Sequence, residues 1–284
     1  MSQIKTVAVF GAGTMGAGIA QVCAHHGYDV NLYDISKDIL ERSLGGIAKS
    51  LGKFVKSGTI DERKKEQSLN RIKIFTNITD DIGSVDIVIE ALTENIDIKT
   101  GSYKTVDNHL KPGAIICSNT SSIPITALAA STTRKDQFIG THFMNPVPLM
   151  KGVEVIKGRE TSADTLQKVK SFLESIGKIP SVAVDYAGFI TTRIFNSYLN
   201  EAALAVMIGN DPEEIDKAMV TCVNMPMGPC KIMDLVGIDV LVFVMKTLED
   251  EFGERFKVAP ILKQMVRAGH FGVKTGKGFY DYKK

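Results

Sequence analysis

The sequence predicts an α/β protein, a Rossmann-type, doubly wound, mostly parallel sheet followed by an all-α C-terminal domain. Three observations carry that prediction. A β-rich run at 4–10 feeds directly into Gly11-Ala12-Gly13-Thr14-Met15-Gly16. Up to residue 184, short apolar runs alternate with stretches of helical period, the pattern of a parallel sheet covered on both faces. After Asp185, strand signals stop until 278–282 and helical periodicity takes over.

The helix opened by the glycine turn runs to His26 and stops at Gly27, a common helix terminator. A second strand over 29–33 ends at Asp34. Residues 37–56 read as a helix, with Ile39, Leu40, Leu44, Ile47, Leu51 and Val55 at helical spacing. A charged helix follows at 61–71. Strands are expected at 72–76 and 86–90, a helix at 95–110, a strand at 114–118, a short helix at 125–130 and a strand at 138–142. Strands at 153–156 and 181–184 flank a helix at 162–176. Helices at 187–209, 213–223, 237–252 and 258–268 complete the chain, with a last strand signal at 278–282. The boundary falls at 185–188, so the domains are 1–186 and 187–284. The apolar faces of the second (Leu199, Ala203, Leu204, Val206, Met207; Val240, Leu241, Phe243, Val244) exceed what a small bundle hides, which predicts a homodimer through these helices.

Composition narrows the function classes. The 284 residues suffice for two domains of ~150 residues. Thirty-four Lys+Arg against 32 Asp+Glu leave a charge of +2, which argues against a nucleic-acid stripe but permits a local basic patch for a phosphorylated ligand. No apolar run approaches the ~20 residues of a membrane span. A β-branched run starts right after Met1-Ser2-Gln3-Ile4-Lys5, without a leader pattern, so a cytoplasmic location is expected. Cys23, Cys117, Cys222 and Cys230 form no CxxC pair and read as reduced, structural thiols. His25 and His26 complement a helix dipole. No cluster has metal-ligand spacing, so no metal is expected.

The glycine turn is informative because of its context. Gly11 allows the tight turn, Gly13 lets a pyrophosphate approach the backbone, and Gly16 permits close helix–strand packing. Thr14 and Met15 open the helix whose N–H groups face that ligand. Asp34 lies 23 residues after Gly11, near the ~20 expected of a ribose-binding acid. A carboxylate there favours NAD over NADP, a preference softened by nearby Lys37. In doubly wound sheets ligands bind beyond the carboxyl ends of strands. The segments there are Ala91-Leu92-Thr93-Glu94-Asn95, Asn119-Thr120-Ser121-Ser122 and His142-Phe143-Met144-Asn145-Pro146. Glu154, flanked by valines, needs a partner, and His142 is the nearest candidate on a strand end. A His–carboxylate pair beside a nicotinamide suits alcohol–ketone chemistry. The imidazole takes the hydroxyl proton, the carboxylate fixes its tautomer, and Ser121 hydrogen-bonds the reacting oxygen. The bland alternatives are a structural His, an edge Glu facing water and a helix-capping 119–122 segment.

These residues resemble a family. Seven ordered motifs, from Gly11–Gly16 through 118–122, 142–146, 150–156, 188–190 and 226–229 to 274–280, make the chain similar to the short-form L-3-hydroxyacyl-CoA dehydrogenases over nearly its whole length. The resemblance implies reversible oxidation of an L-3-hydroxyacyl-CoA to a 3-ketoacyl-CoA. It implies His142 as base, Glu154 as its partner, and Ser121 against the substrate oxygen and the nicotinamide side of NAD. It implies Asp34, Glu94, Lys99, Asn145 and Lys274 as further NAD contacts, and Ser50 as a CoA contact. It implies a helical domain that closes over the acyl-CoA and supplies the dimer interface. Two positions depart from the family pattern. Thr192 stands where a substrate-facing Asn is usual, with one hydroxyl on a shorter arm. Ser57 stands where a CoA-binding Lys is usual, and Lys53 and Lys56 are its substitutes on the same helix. These departures support two other readings: a non-CoA 3-hydroxy substrate, or a weakly active NAD-binding structural protein.

Overall fold

A computed structural model describes residues 4–282. The chain divides into two compact units, one ending at Tyr186 and one beginning at Ala187. The first holds eight strands: β1 (Thr6–Phe10), β2 (Asp29–Tyr33), β3 (Ile72–Phe75), β4 (Ile87–Glu90), β5 (Ile115–Ser118), β6 (Phe138–Phe143), β7 (Gly152–Lys157) and β8 (Ile179–Val184). They form one sheet in the order β3-β2-β1-β4-β5-β6-β7-β8. Pairs from β3 through β6 are parallel, β6–β7 is antiparallel and β7–β8 is parallel. The helices are α1 (Thr14–His25), α2 (Lys37–Lys56), α3 (Glu62–Asn70), α4 (Ile96–Asp107), α5 (Ile125–Ala129) and α6 (Ala163–Ser175).

Residues 7–10 of β1 and 87–89 of β4 read as unbroken apolar runs because both their faces are covered. Val7, Ala8, Val9 and Phe10 are fully buried, as are Ile87, Val88 and Ile89. The chain order reverses at β1, whose neighbours are β2 and β4. That is the switch point where doubly wound sheets open a crevice. Acids just outside elements set several ends. Asp86, expected within β4, precedes it and accepts from the Lys5 and Thr6 N–H groups at 2.8 and 2.9 Å. Asp185 accepts from the Ile125 and Thr126 N–H groups at the start of α5, at 2.7 and 2.8 Å.

The second unit is helical: α7 (Thr191–Met207), α8 (Pro212–Cys222), α9 (Pro229–Val236), α10 (Ile238–Phe252) and α11 (Pro260–Arg267). Its core includes Leu199, Ala203, Met233, Leu241, Met245 and Leu262. Leu199, Ala203 and Leu241, expected on unpartnered faces, are therefore spent inside the unit, while Ile194, Leu235 and Phe243 remain over 60% exposed. Three further differences have local causes. The helix expected from 187 starts at Thr191, because Gly188 and Phe189 both have positive φ, at 73° and 47°. Helix α9 is an addition, bracketed by Pro229 at its first turn and Gly237 at its end. The expected strand at 278–282 is absent; Gly272, Lys277 and Asp281 make only isolated bridges, and the Phe279 and Tyr280 N–H groups go to the Asp234 carboxylate, both at 2.9 Å. Among the described residues no helix is long and apolar enough to cross a membrane.

Candidate active site

The glycine turn joins β1 to α1 at the switch point. Gly11 has φ of 91°, and a Cβ there would lie 2.6 Å from the Ala91 carbonyl oxygen at the end of β4. A Cβ on Gly16 would overlap the Gly11 carbonyl at 1.8 Å. Gly13 differs: a Cβ there would meet nothing within 4 Å, so its backbone borders open space. Gly13 also caps α1 without a side-chain hydrogen bond, and the first turn carries no acid. The helix therefore presents N–H groups and positive dipole to whatever approaches, the requirement of a pyrophosphate. Thr14 is exposed and Met15 packs partly into the core. Asp34, at the end of β2, accepts from the Ala12 N–H at 2.8 Å, which ties the acid to the turn. These residues fit a dinucleotide, with Asp34 beside the phosphate turn to accept ribose hydroxyls.

Strands β6 and β7 supply a second cluster. Because they are antiparallel and His142 pairs directly with Glu154, both side chains project from the same face. His142 Nδ1 donates to Glu154 Oε2 at 2.8 Å, with Glu154 almost fully buried and His142 partly exposed. A carboxylate on Nδ1 favours the tautomer that leaves the lone pair on Nε2. Asn119 does not act as a helix cap here. Its Oδ1 accepts from the Phe143 N–H at 2.8 Å, linking the ends of β5 and β6. Asn145 is exposed just beyond.

The third cluster surrounds Glu94. Its Oε1 accepts from the Thr120 hydroxyl at 2.5 Å and from the Ser121 and Ser122 N–H groups at 3.0 and 3.1 Å. The Ser122 hydroxyl donates to the same oxygen at 3.0 Å. Its Oε2 lies 3.3 Å from Lys99 Nζ. Burial pushes the Glu94 carboxyl up, but the Lys99 ammonium and these donors outweigh burial and hold it below its ordinary range. Lys99, expected as a cofactor contact, has a side chain only 1% exposed, and its Nζ pairs with fully buried Glu90 at 2.6 Å. Glu90 is a member of this cluster that sequence reasoning missed, because it ends an apolar strand and looks like a strand terminus. The available signal was a carboxylate nine residues before a lysine, spanning a strand and the next helix.

On α2, Ser50, Lys53 and Ser57 share one ridge at i, i+3 and i+7. Lys53 and Lys56 are exposed in its last turn. Ser57 ends the helix, its hydroxyl donating to the Phe54 carbonyl at 3.0 Å. In the helical unit, Thr192 sits in the first turn of α7 and its carbonyl accepts from Asn196 Nδ2 at 2.7 Å. Lys274 donates to Asp239 Oδ2 at 2.7 Å. Among the described residues no group of three His, Cys, Asp or Glu side chains is placed to hold a metal.

Known proteins resemble this chain over nearly its whole length. Residues 6–186 match the 3-hydroxyacyl-CoA dehydrogenase NAD-binding domain, and residues 188–282 match the C-terminal domain of the same enzymes. The chain is 45% identical to a probable 3-hydroxybutyryl-CoA dehydrogenase of Deinococcus radiodurans, covering 96% of this chain and 99% of that one. It is 41% identical to the mitochondrial hydroxyacyl-coenzyme A dehydrogenase of Sus scrofa, covering 99% of this chain and 92% of the other. The crystal structure of (S)-3-hydroxybutyryl-CoA dehydrogenase from Ralstonia eutropha superposes with a TM-score of 0.96 at 43% identity, covering 99% of this chain and 100% of that one. The chain belongs to the 3-hydroxyacyl-CoA dehydrogenase family, with an NAD-binding domain over residues 6–186.

Proposed function

We propose that this protein is an NAD-dependent dehydrogenase that interconverts short-chain L-3-hydroxyacyl-CoA and 3-ketoacyl-CoA, 3-hydroxybutyryl-CoA above all. The observation that carries the reading is the His142–Glu154 pair, held by strand register at the C-terminal edge of a dinucleotide-binding sheet. The family membership supports it. When bound, NAD accepts the hydride released from the carbinol carbon. Everything else falls to groups of this chain. His142 takes the hydroxyl proton at Nε2, and Glu154 stabilises the imidazolium that results. Ser121 donates to the substrate oxygen, where negative charge develops as a ketone is reduced. The N-terminus of α1 binds the pyrophosphate and Asp34 the ribose hydroxyls. Glu94 holds the 120–122 turn, and Asn145 contributes from the loop after β6. Ser50, Lys53 and Lys56 on α2 bind the phosphates of CoA, Lys56 taking over from the usual lysine replaced by Ser57. Thr192 and Lys274 enter this reading through the family pattern, Thr192 as a substrate contact and Lys274 as a cofactor contact.

The deciding experiment is NADH oxidation with acetoacetyl-CoA, run beside free acetoacetate and beside NADPH. The expected result is consumption with the thioester and NADH only. Turnover of free acetoacetate at an equal rate overturns the CoA reading, and NADH binding without turnover of any 3-ketoacyl-CoA supports a structural protein instead. Thr192→Asn is expected to raise turnover; comparable turnover would mean that the threonine hydroxyl serves as well as the amide. The reading also takes the protein as a cytoplasmic homodimer assembled through the helical unit, supported by the exposed Phe243, Leu235 and Ile194. Sedimentation as a monomer at micromolar concentration would remove that part.

A further inference from the structure

We propose that Glu90 is a positioning residue that acts through Lys99 on Glu94, and so fixes where the 120–122 turn presents Ser121. The proposal rests on the reading of Ser121 as the substrate-oxygen contact.

Glu90 is fully buried at the end of β4. Its Oε1 accepts from the Leu92 N–H and from Lys99 Nζ, each at 2.6 Å. Its Oε2 accepts from the Tyr103 hydroxyl and, at 2.8 Å, from the Ser118 hydroxyl. Four donors from β4's exit, α4 and β5 thus hold one carboxylate rigidly. That carboxylate in turn fixes the ammonium of Lys99, which also lies 3.3 Å from the Leu92 carbonyl and from Glu94 Oε2.

The consequence is a division of labour within Glu94. Lys99 holds Oε2, which leaves Oε1 to gather the Thr120 hydroxyl and the Ser121 and Ser122 N–H groups. A Lys99 with only one anionic neighbour would draw Glu94 inward and loosen its grip on the turn. A buried polar network of this kind transmits displacement, because each member has few other places to go. The Ser121 hydroxyl itself is only 3.5 Å from Glu94 Oε1, too long for a strong bond, so its placement depends on the backbone that Glu94 holds.

The test is Glu90→Gln, which keeps the shape and removes the charge. The Ser121 and Ser122 amides should exchange hydrogen at least about tenfold faster than in wild type. With acetoacetyl-CoA, kcat should fall by about 10- to 100-fold while KM changes within about twofold, the signature of a misplaced rather than a missing contact. Adding Glu90→Gln to Lys99→Met should cost much less than adding it to the wild type, because the main route from Glu90 to Glu94 runs through Lys99. Unchanged amide exchange, or additive losses in the double variant, overturns the proposal. Should Glu90→Gln not fold, Tyr103→Phe loosens Glu90 and keeps its charge. It should accelerate exchange at Ser121 and Ser122 by a smaller factor, and unchanged exchange there overturns the proposal equally. A wild type inactive on every 3-ketoacyl thioester would defeat the functional reading and leave the exchange result to decide this one.

Discussion

The two units bury carboxylates in opposite ways. In the sheet unit, Glu154 and Glu90 are partnered by ionisable side chains, His142 and Lys99. In the helical unit, Asp216 and Asp234 are satisfied largely by the backbone. Asp216 accepts from the Cys230 and Lys231 N–H groups at the start of α9, at 2.7 and 3.1 Å, and from the Tyr280 hydroxyl at 2.7 Å. Asp234 accepts from the Phe279 and Tyr280 N–H groups. Both are deeply buried. A carboxylate held by backbone donors fixes the course of the chain. A carboxylate held by an ionisable side chain sets that side chain's charge and aim, which chemistry requires. In the proposed reading Glu154 and Glu90 serve the chemistry, whereas Asp216 and Asp234 serve the fold.

Substitutions can break that contrast. The largest effect is expected from His142→Ala, which should lower kcat by about 10²- to 10⁴-fold while the protein still unfolds cooperatively, read by steady-state kinetics and calorimetry. Next, Asp216→Ala should do the reverse. It strands two N–H groups and a hydroxyl, and should cost about 3 kcal/mol of stability, a fall in Tm of about 6–12 °C. Turnover per folded molecule should hold at low temperature, and a comparable loss of turnover would dissolve the distinction. Asp34→Ser removes a charge that would face a 2′-phosphate, and should improve the use of NADPH relative to NADH by about tenfold, on the order of 1.4 kcal/mol.

The smallest effects concern acid titration, where the two units have opposite signs. Glu94 is held below its ordinary range, so its stabilisation is present above about pH 4.3 and is lost as pH falls through its folded value. Burial pushes the Asp234 carboxyl up despite the Tyr280 and Phe279 N–H groups that favour its charged form. Its folded state holds the proton more tightly, so this contribution is full below about pH 3.9 and is lost as pH rises through the folded value. Denaturant titrations from pH 3 to 7 should therefore show Glu94→Gln reducing the acid-side loss of stability and Asp234→Asn deepening it. Equal slopes would mean that the two environments do not differ.

Much of this was readable in residue order. The strands of the sheet announced themselves because buried parallel strands are largely apolar, as in 7–10 and 87–89. The glycine turn and Asp34 were legible because a dinucleotide demands fixed residue types at fixed spacing. Glu154 was legible as an acid that valines leave no water to satisfy. The roles of Glu90 and Lys99 were not, because burial of a charge depends on which element packs over it, and Lys99 and Tyr103 of α4 meet Glu90 in the interior. Helix α9 carried its own start and stop signals, Pro229 and Gly237, but is short enough to pass as a loop. The aromatic run at 278–282 has strand composition, yet its backbone donors meet a carboxylate rather than a neighbouring strand.

The antiparallel turn-back between β6 and β7 has a consequence for how this chain tolerates inherited change. His142 and Glu154 are twelve positions apart in sequence but one step apart across the ladder. Residues gained or lost in the connecting segment 144–151 leave that step intact. A single residue gained or lost inside either strand reverses which face one partner points to. The pair therefore obeys a parity rule, in which viable insertions within β6 or β7 come in twos while those in the connection may come in any number. Lineages descended from this gene should record that arithmetic as strands of fixed length joined by a connection free to drift.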